Sequence, residues 1–240
     1  MTNKIYDTKE SALEAIKISP YFSVSMLSNE LKNDKELVLE ALKKYKGSYP
    51  QLQYVGDELK NDKELVLEAV KQRDDNFKYA SERLRDDKEL VLEAVKQRDD
   101  NFKYASERLR DDKELVLEAV KQRGDTFKYV SERLRDDKEV VLVAVKQRGD
   151  NFKYASERLR DDKELAMISL QSAGYTFRYV SERLRDDKEV VLVAVKQNGL
   201  VIILASHELR NDKEVIYDAI SHSDSEHRSA ILQALKHLNY

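Results

Sequence analysis

The sequence contains no cysteine and no tryptophan, and it has only two prolines and six glycines among 240 residues. Without cysteine, the chain can form neither a disulfide nor a zinc site with thiolate ligands. Its 43 basic and 46 acidic residues leave a formal net charge of −3. This near balance provides no overall positive field that could hold nucleic acid or an anionic membrane.

Long apolar runs are also missing. No run is longer than Leu200 to Ala205, which is far shorter than the roughly 18 residues that a membrane-spanning helix requires. The N-terminal segment MTNKIYDTKE lacks the apolar core of a classical signal peptide. These absences predict a protein that does not enter membranes and that is cytoplasmic, or is delivered into a host cell by a specialised secretion system.

The sequence is dominated by an internal repeat. The 25 residues from Asp62 to Asp86 are identical to those from Asp87 to Asp111, DKELVLEAVKQRDDNFKYASERLRD. The tripeptide Asp-Lys-Glu recurs with one spacing of 28 residues and then spacings of 25, at Asp34, Asp62, Asp87, Asp112, Asp137, Asp162, Asp187 and Asp212. A period of this length is typical of repeat proteins, in which each unit is one small supersecondary element.

The repeating unit predicts two short helices. Asp86 and Glu89 have the spacing of a capping box, and an apolar stripe that includes Leu90 follows, so we expect a first helix from Asp87 to about Gln97. Four later units carry glycine at the position of Asp99, where we expect a left-handed helix end: Gly124, Gly149, Gly174 and Gly199. A second helix is predicted from about Asn101 to Arg108, with Phe102, Ala105 and Leu109 on its buried face.

The sequence therefore predicts an all-α fold, an α-solenoid of about nine helix-turn-helix repeats with divergent capping units at its ends. We expect residues 1–240 to form a single repeat domain. Within it, residues 1–33 form an N-terminal cap, 34–61 a unit with a longer turn, 62–211 the regular 25-residue units and 212–240 a C-terminal cap. In the last segment, Ile231, Leu235 and Leu238 mark a closing helix.

The repeated motif DKEVVLxAVKQ…YASERLRDDKE resembles a tandem-repeat family catalogued as domain of unknown function 4116. The resemblance covers about Asp34 to Glu214, including Val190-Val191-Leu192 and Tyr179-Val180-Ser181. It implies an array of short helical repeats, and it implies no catalytic residues, because none is assigned in the family. Members of the family occur in bacteria, protists and large DNA viruses.

No arrangement of residues in the sequence indicates an active site. The acidic residues recur in every unit, whereas an active site is usually built once, so we predict no enzymatic activity, no catalytic residues, no cofactor and no metal. His222 and His227 are five residues apart, which fits one helical face poorly. Two Arg-Gly-Asp tripeptides, beginning at Arg123 and Arg148, are interpreted as a helix end followed by a helix start.

Two columns of basic residues support an alternative function, sequence-nonspecific nucleic-acid binding. Backbone binding needs a net basic track, and the acidic residues that recur in each unit argue against one. The columns are Lys71, Lys96, Lys121 and Lys146, and Arg73, Arg98, Arg123 and Arg148.

One column varies in an informative way. Four copies carry a glutamate, Glu40, Glu68, Glu93 and Glu118, and the next three carry Val143, Ile168 and Val193. We name these three residues the apolar strip. Beside it, Lys and Arg give way to Gln171, Ala173 and Asn198. Exposed apolar patches rimmed by polar residues are typical of interaction sites. An equally weighted alternative is that the closing segment covers the strip, and this kind of cover is expected for Ile203.

From these observations we expect a non-enzymatic protein-binding repeat scaffold. It would engage or block a protein partner through Val143, Ile168, Val193, Gln171, Ala173 and Asn198. A narrower hypothesis, drawn from the resemblance, is a viral or bacterial effector that inhibits a host or defence protein. The sequence favours a monomer over an obligate oligomer and argues against nucleic-acid and membrane partners.

Overall fold

The structure is a computed structural model and describes residues 5–238. Nine helices of nine or ten residues lie in this part of the chain, one in each predicted unit: α1 (Lys9–Ile18), α2 (Lys35–Lys44), α3 (Lys63–Gln72), α5 (Lys88–Gln97), α7 (Lys113–Gln122), α9 (Lys138–Gln147), α11 (Lys163–Ser172), α13 (Lys188–Gln197) and α15 (Lys213–Ser221). Short helices of one turn lie between them: α4 (Glu82–Arg85), α6 (Glu107–Arg110), α8 (Glu132–Arg135), α10 (Glu157–Arg160), α12 (Glu182–Arg185) and α14 (His207–Arg210). The last helix is α16 (Ser225–Leu238).

The chain divides into two compact units, residues 1–129 and residues 130–240. In the first unit, α1, α2, α3, α5 and α7 pack on one another in sequence order. In the second, α9, α11, α13 and α15 do the same. The prediction of an all-α solenoid of helical repeats is confirmed, and the expectation that residues 1–240 form one domain stays a prediction.

Each long helix begins one residue later than the predicted capping box requires. In the repeat that contains α5, the N-cap is Asp87 rather than Asp86. The Asp87 Oδ1 accepts a hydrogen bond from the Leu90 backbone N–H at 3.0 Å. Glu89 is then the second helical residue, so the capping-box prediction is wrong. Asp86 instead accepts hydrogen bonds from the side chains of Ser106 and Arg108 in the following repeat.

The predicted second helix is not continuous. In the repeat of α5, a 3₁₀ helix spans Asp99–Tyr104, Ala105 is extended, and α6 begins after the N-cap Ser106. The buried stripe was nevertheless predicted correctly, because Phe102, Ala105 and Leu109 are all buried. Longer 3₁₀ helices of this kind recur at Asp74–Tyr79, Gly124–Tyr129, Gly149–Tyr154, Gly174–Tyr179 and Gly199–Leu204, and shorter ones lie at Val24–Met26, Leu31–Asn33, Leu52–Tyr54 and Leu59–Asn61.

The core is formed by equivalent residues of successive repeats. The long helices from α2 to α13 bury four residues each, such as Leu90, Val91, Ala94 and Val95 of α5, whereas α1 and α15 bury two each. Within each unit, neighbouring 3₁₀ helices pack on one another. Their phenylalanines are fully buried: Phe77, Phe102, Phe127, Phe152 and Phe177. A ten-residue helix is marginal alone in water, so this burial between repeats is what makes it stable.

The glycines do not act as left-handed helix ends. No residue between 5 and 238, glycine included, has a positive φ. This explains why Asp99 can occupy the same position in another copy. Instead, a Cβ added to Gly199 would lie 2.2 Å from the Ala219 carbonyl oxygen, and one added to Gly174 would lie 2.5 Å from the Gln197 Cβ. These glycines allow the close approach of the next repeat.

Within each unit, ion pairs link N-cap aspartates to the preceding repeat. Lys63 Nζ lies 2.9 Å from Asp87 and 2.8 Å from Glu89. The hydrogen bond to the Leu90 N–H and the Lys63 ammonium outweigh the effect of partial burial and lower the pKa of Asp87. Equivalent lysine–aspartate pairs are Lys9–Asp34, Lys35–Asp62 and Lys88–Asp112 in the first unit, and Lys138–Asp162, Lys163–Asp187 and Lys188–Asp212 in the second.

The observed cap register gives a first prediction, for Asp162 at the start of α11. Asp162→Ala removes both the cap and the pair with Lys138, whereas Asp162→Asn removes the pair but keeps a good capping side chain. We expect the alanine variant to be less stable than the asparagine variant by about 1 kcal/mol in urea unfolding. Equal stabilities of the two variants would contradict the assignment of Asp162 as the cap.

A second prediction concerns the close approach at Gly199. Gly199→Ala should lower the free energy of unfolding by about 1–3 kcal/mol, because the new methyl group overlaps the Ala219 carbonyl and the helices must move apart. Gln147→Ala, at an exposed helix end, should change it by less than about 0.5 kcal/mol. A Gly199→Ala variant as stable as this control would show that the repeats can separate without cost.

Candidate interaction surfaces

Two successive 3₁₀ helices of the first unit, Asp99–Tyr104 and Gly124–Tyr129, are joined by a polar network. In the first unit, Lys128 Nζ lies 3.1 Å from Asp99 and 2.9 Å from Asp100. The Tyr129 hydroxyl donates to Asp100. We name these four residues, Asp99, Asp100, Lys128 and Tyr129, the polar network.

The network shifts the pKa values of its members. The hydrogen bonds from Tyr129 and Lys128 lower the pKa of Asp100 to about 2. Burial disfavours the charge of Lys128, but the bonds to Asp100 and Asp99 outweigh it and raise the pKa of its ammonium group. These charged side chains therefore form contacts between successive repeats in the folded chain.

The arginines of the column that could bind nucleic acid also contact nearby groups of the chain. Arg73 Nε lies 3.2 Å from Asp75, Arg98 Nη2 lies 3.3 Å from Asp100, and Arg148 Nη2 lies 3.1 Å from Asp150. Arg123 donates to the Lys96 carbonyl oxygen at 2.8 Å. Much of the positive charge that could follow a phosphate backbone is thus offset by an acidic neighbour.

The other motifs of the sequence have structural explanations or local partners. Arg148 and Asp150 of one Arg-Gly-Asp tripeptide pair with each other, and Gly149 between them is buried. His227 Nδ1 lies 2.7 Å from Asp224, and His222 faces the same cleft, of about 360 Å³, although the two histidines do not share a helical turn. Nowhere in residues 5–238 do three histidine, aspartate or glutamate side chains form a cluster that could hold a metal ion.

The apolar strip lies on three consecutive helices of the second unit. Val143 is on α9, Ile168 on α11 and Val193 on α13, and these helices pack in that order. Each of the three side chains is half-buried. The preceding residues, Leu142, Met167 and Leu192, are half-buried as well.

The polar residues predicted beside the strip lie at the ends of the same helices. Gln171 is exposed in the last turn of α11. Ala173 and Asn198 are the C-cap residues of α11 and α13. The Asn198 side chain also accepts a hydrogen bond from the Leu200 backbone N–H at 3.1 Å, and so it caps the following 3₁₀ helix.

The predicted closing helix is present and packs away from the strip's own helices. It is α16, which packs on α15 and on the 3₁₀ helix Gly199–Leu204. Ile231 and Leu235 are buried there, and an added Cβ on Gly199 would meet Ile231 at 2.9 Å. The side chain of Leu238, also predicted to be on the apolar face, lies outside the described residues.

Sequence reasoning missed a tyrosine that extends the apolar surface. Tyr217 of α15 occupies the column of Leu192, and 71% of it is exposed. Next to it, Asp218 lies 3.4 Å from Lys196, and this ion pair gives the surface a polar border. The available signal was an aromatic residue in a column that otherwise contains leucine or methionine.

A second apolar surface was also missed, because Ile203 was expected to be covered by the last unit. That expectation is wrong: 38% of Ile203 is exposed. Helix α16 packs on this segment, with Ile231 near Gly199. Ile203 borders a cleft of about 380 Å³, which we name the terminal cleft, lined by Tyr175, Arg178, Asn198, Leu200, Val201, Ile203 and Leu204.

The repeats bury apolar faces on one another, and ion pairs link their helices at fixed intervals. These features define a tandem helical-repeat protein. The chain belongs to the family described as "Domain of unknown function (DUF4116)", whose pattern matches residues 8–52, 46–85, 74–110, 87–135, 112–160, 137–185 and 187–239. No curated protein and no solved structure matches the chain. Across residues 5–238, every helix is too short or too polar to cross a bilayer.

The polar network gives a prediction about pH. The pKa of Asp100 is lowered in the folded chain, so its contribution to stability is present above about pH 4 and is lost as the pH falls through about 2. Asp100→Asn should therefore lower the free energy of unfolding by about 1 kcal/mol near pH 7, a value that allows for solvent screening.

This deficit should shrink as the pH falls below about 4. Urea unfolding at a series of pH values, down to the lowest at which the wild type is folded, measures it. Glu82→Gln, which removes an exposed carboxylate outside the network, serves as the control. A deficit that is independent of pH would mean that Asp100 contributes packing rather than charge.

Proposed function

We propose that the chain is a non-enzymatic scaffold that binds a protein partner through the helical surface around Val143, Ile168 and Val193. The observation that carries this proposal is a change of chemistry at one position. Copies in the first unit carry glutamate there, whereas three adjacent copies in the second unit carry an aliphatic residue that is only half-buried.

The surroundings of the strip support an interface. Leu142, Met167 and Leu192 widen the apolar surface, and the exposed Tyr217 continues it on α15. Aromatic residues at such positions often contribute much of the binding energy of an interface. The exposed Lys146 and Gln171 and the Lys196–Asp218 pair form a polar rim, which would set orientation and association rate.

The position of the closing helix favours an external partner over cover by the chain itself. Helix α16 uses Ile231 and Leu235 to pack beside Gly199 and α15. The strip belongs to α9, α11 and α13. The narrower hypothesis, a viral or bacterial effector that blocks a host or defence protein, is supported by the distribution of the family.

The test replaces the strip with the residue of the other copies, in the triple variant Val143→Glu, Ile168→Glu and Val193→Glu. Wild type and variant are used to capture proteins from a nuclease-treated native cell extract, and retained proteins are identified by mass spectrometry. We expect at least one protein to be retained by the wild type and lost with the variant, with the melting temperature nearly unchanged. The reason is that glutamate is already accepted at this position in four other copies.

A matched control adds the same charge elsewhere, at three exposed helix ends: Gln72→Glu, Gln97→Glu and Gln147→Glu. This control should retain the partner. Loss of the partner with both variants would indicate a general charge effect, and loss of stability with the strip variant alone would indicate intramolecular cover. Binding that disappears after nuclease treatment would favour the nucleic-acid alternative.

A further inference from the structure

At the terminal cleft, all four residues of the polar network are replaced by other residue types. The residues equivalent to Asp99, Asp100, Lys128 and Tyr129 are Gly174, Tyr175, Ile203 and Leu204. These four residues belong to two successive 3₁₀ helices, Gly174–Tyr179 and Gly199–Leu204. A surface that carries buried or half-buried ion pairs in one copy therefore carries apolar side chains in this one.

These apolar side chains remain accessible. Of Tyr175, 48% is exposed, and of Ile203, 38%. Leu200 and Leu204 are half-buried beside them. The cleft of about 380 Å³ lies within the range of small binding pockets and is large enough for one or two apolar side chains.

The rim of the cleft carries unused hydrogen-bond donors. Arg178 is equivalent to Lys103, and its exposed guanidinium forms no ion pair with any described residue in 5–238. Asn198 uses its side-chain oxygen to cap the 3₁₀ helix, and within the same described part of the chain its side-chain NH₂ group has no acceptor. The cleft thus combines an apolar floor, an unpaired positive charge and a free amide donor.

We propose that the terminal cleft binds an extended peptide segment of a protein partner. This segment carries an aliphatic or aromatic residue with an aspartate or glutamate close to it in sequence, on either side. The apolar side chain would fill the space between Tyr175 and Ile203, and the carboxylate would pair with the planar guanidinium of Arg178. The Asn198 amide would donate to a backbone carbonyl of the peptide.

Each contact has a different effect on binding. Burial of the apolar anchor provides most of the affinity, since an exposed ion pair contributes little. The pair with Arg178 provides selection against neutral and basic segments. A longer segment can continue into the neighbouring cleft lined by His222, Asp224 and His227, because the two clefts share Tyr175 and Asn198.

This proposal rests on the proposed function in that the occupant is a protein. It uses no residue of the apolar strip, and of the polar residues predicted beside the strip it uses only Asn198. The experiment is a selection from a displayed library of random peptides about twelve residues long. The immobilised full chain is the target. Counter-selection uses the double variant Tyr175→Asp and Ile203→Lys, which restores residues that regular copies carry at these positions and so is compatible with the fold.

We expect enriched peptides that combine an apolar residue with a nearby acidic residue. A synthetic fluorescent peptide from this set should bind at least roughly tenfold more weakly to the double variant and to Arg178→Glu in fluorescence anisotropy. The same peptide with its acidic residue changed to lysine should regain binding to Arg178→Glu. Binding to the triple glutamate variant of the strip should be unchanged, which separates this proposal from the proposed function.

Three results would overturn the proposal. They are no enrichment over the double variant, enriched peptides without an acidic residue, and a peptide whose affinity is the same for wild type and Arg178→Glu. A fluorescent single-stranded RNA is measured in parallel; RNA binding that is lost with Arg178→Glu, in the absence of any selected peptide, would assign the cleft to nucleic acid instead.

Discussion

Helices of about ten residues are marginal in isolation, so every repeat of this chain depends on burial against its neighbours. The phenylalanines of the 3₁₀ helices and the buried apolar residues of the long helices provide that burial. The spacing between repeats must be small for these contacts to form, which is why a Cβ at Gly199 would meet a backbone carbonyl. Helix caps and interhelical ion pairs then hold each helix start in register with the preceding repeat.

These structural demands account for many of the charged residues. Within each unit, lysines of the Asp-Lys-Glu motifs pair with the N-cap of the next repeat, as Lys63 does with Asp87, and Asp86 pairs with Arg108. Charges that recur in every copy are therefore part of the architecture. Positions at which one copy carries an apolar residue in place of such a charge are more informative about function. The apolar strip and the terminal cleft both contain positions of this kind.

The sequence was sufficient for the repeat period, the long helices and the identity of the core, because these follow from apolar periodicity at each copy. It misplaced the N-cap by one residue, since Asp86 and Asp87 are both good capping residues and only the backbone distinguishes them. It also predicted one helix where the structure has a 3₁₀ helix and a single α-turn. Burial of Phe102, Ala105 and Leu109 is compatible with either backbone, so the apolar pattern could not separate them.

The strip could be found in the sequence because equivalent positions of a repeat can be compared directly. The unusual residue Tyr217 is visible in the same way, but its exposure and that of the terminal cleft depend on tertiary packing and could not be predicted from the sequence. The sequence by itself determined an array of short helices and the residues that each copy buries, because period and polarity are local properties of the chain. Only the tertiary structure decided which charges pair between repeats and which apolar side chains stay exposed, because both depend on distances between residues that are far apart in sequence.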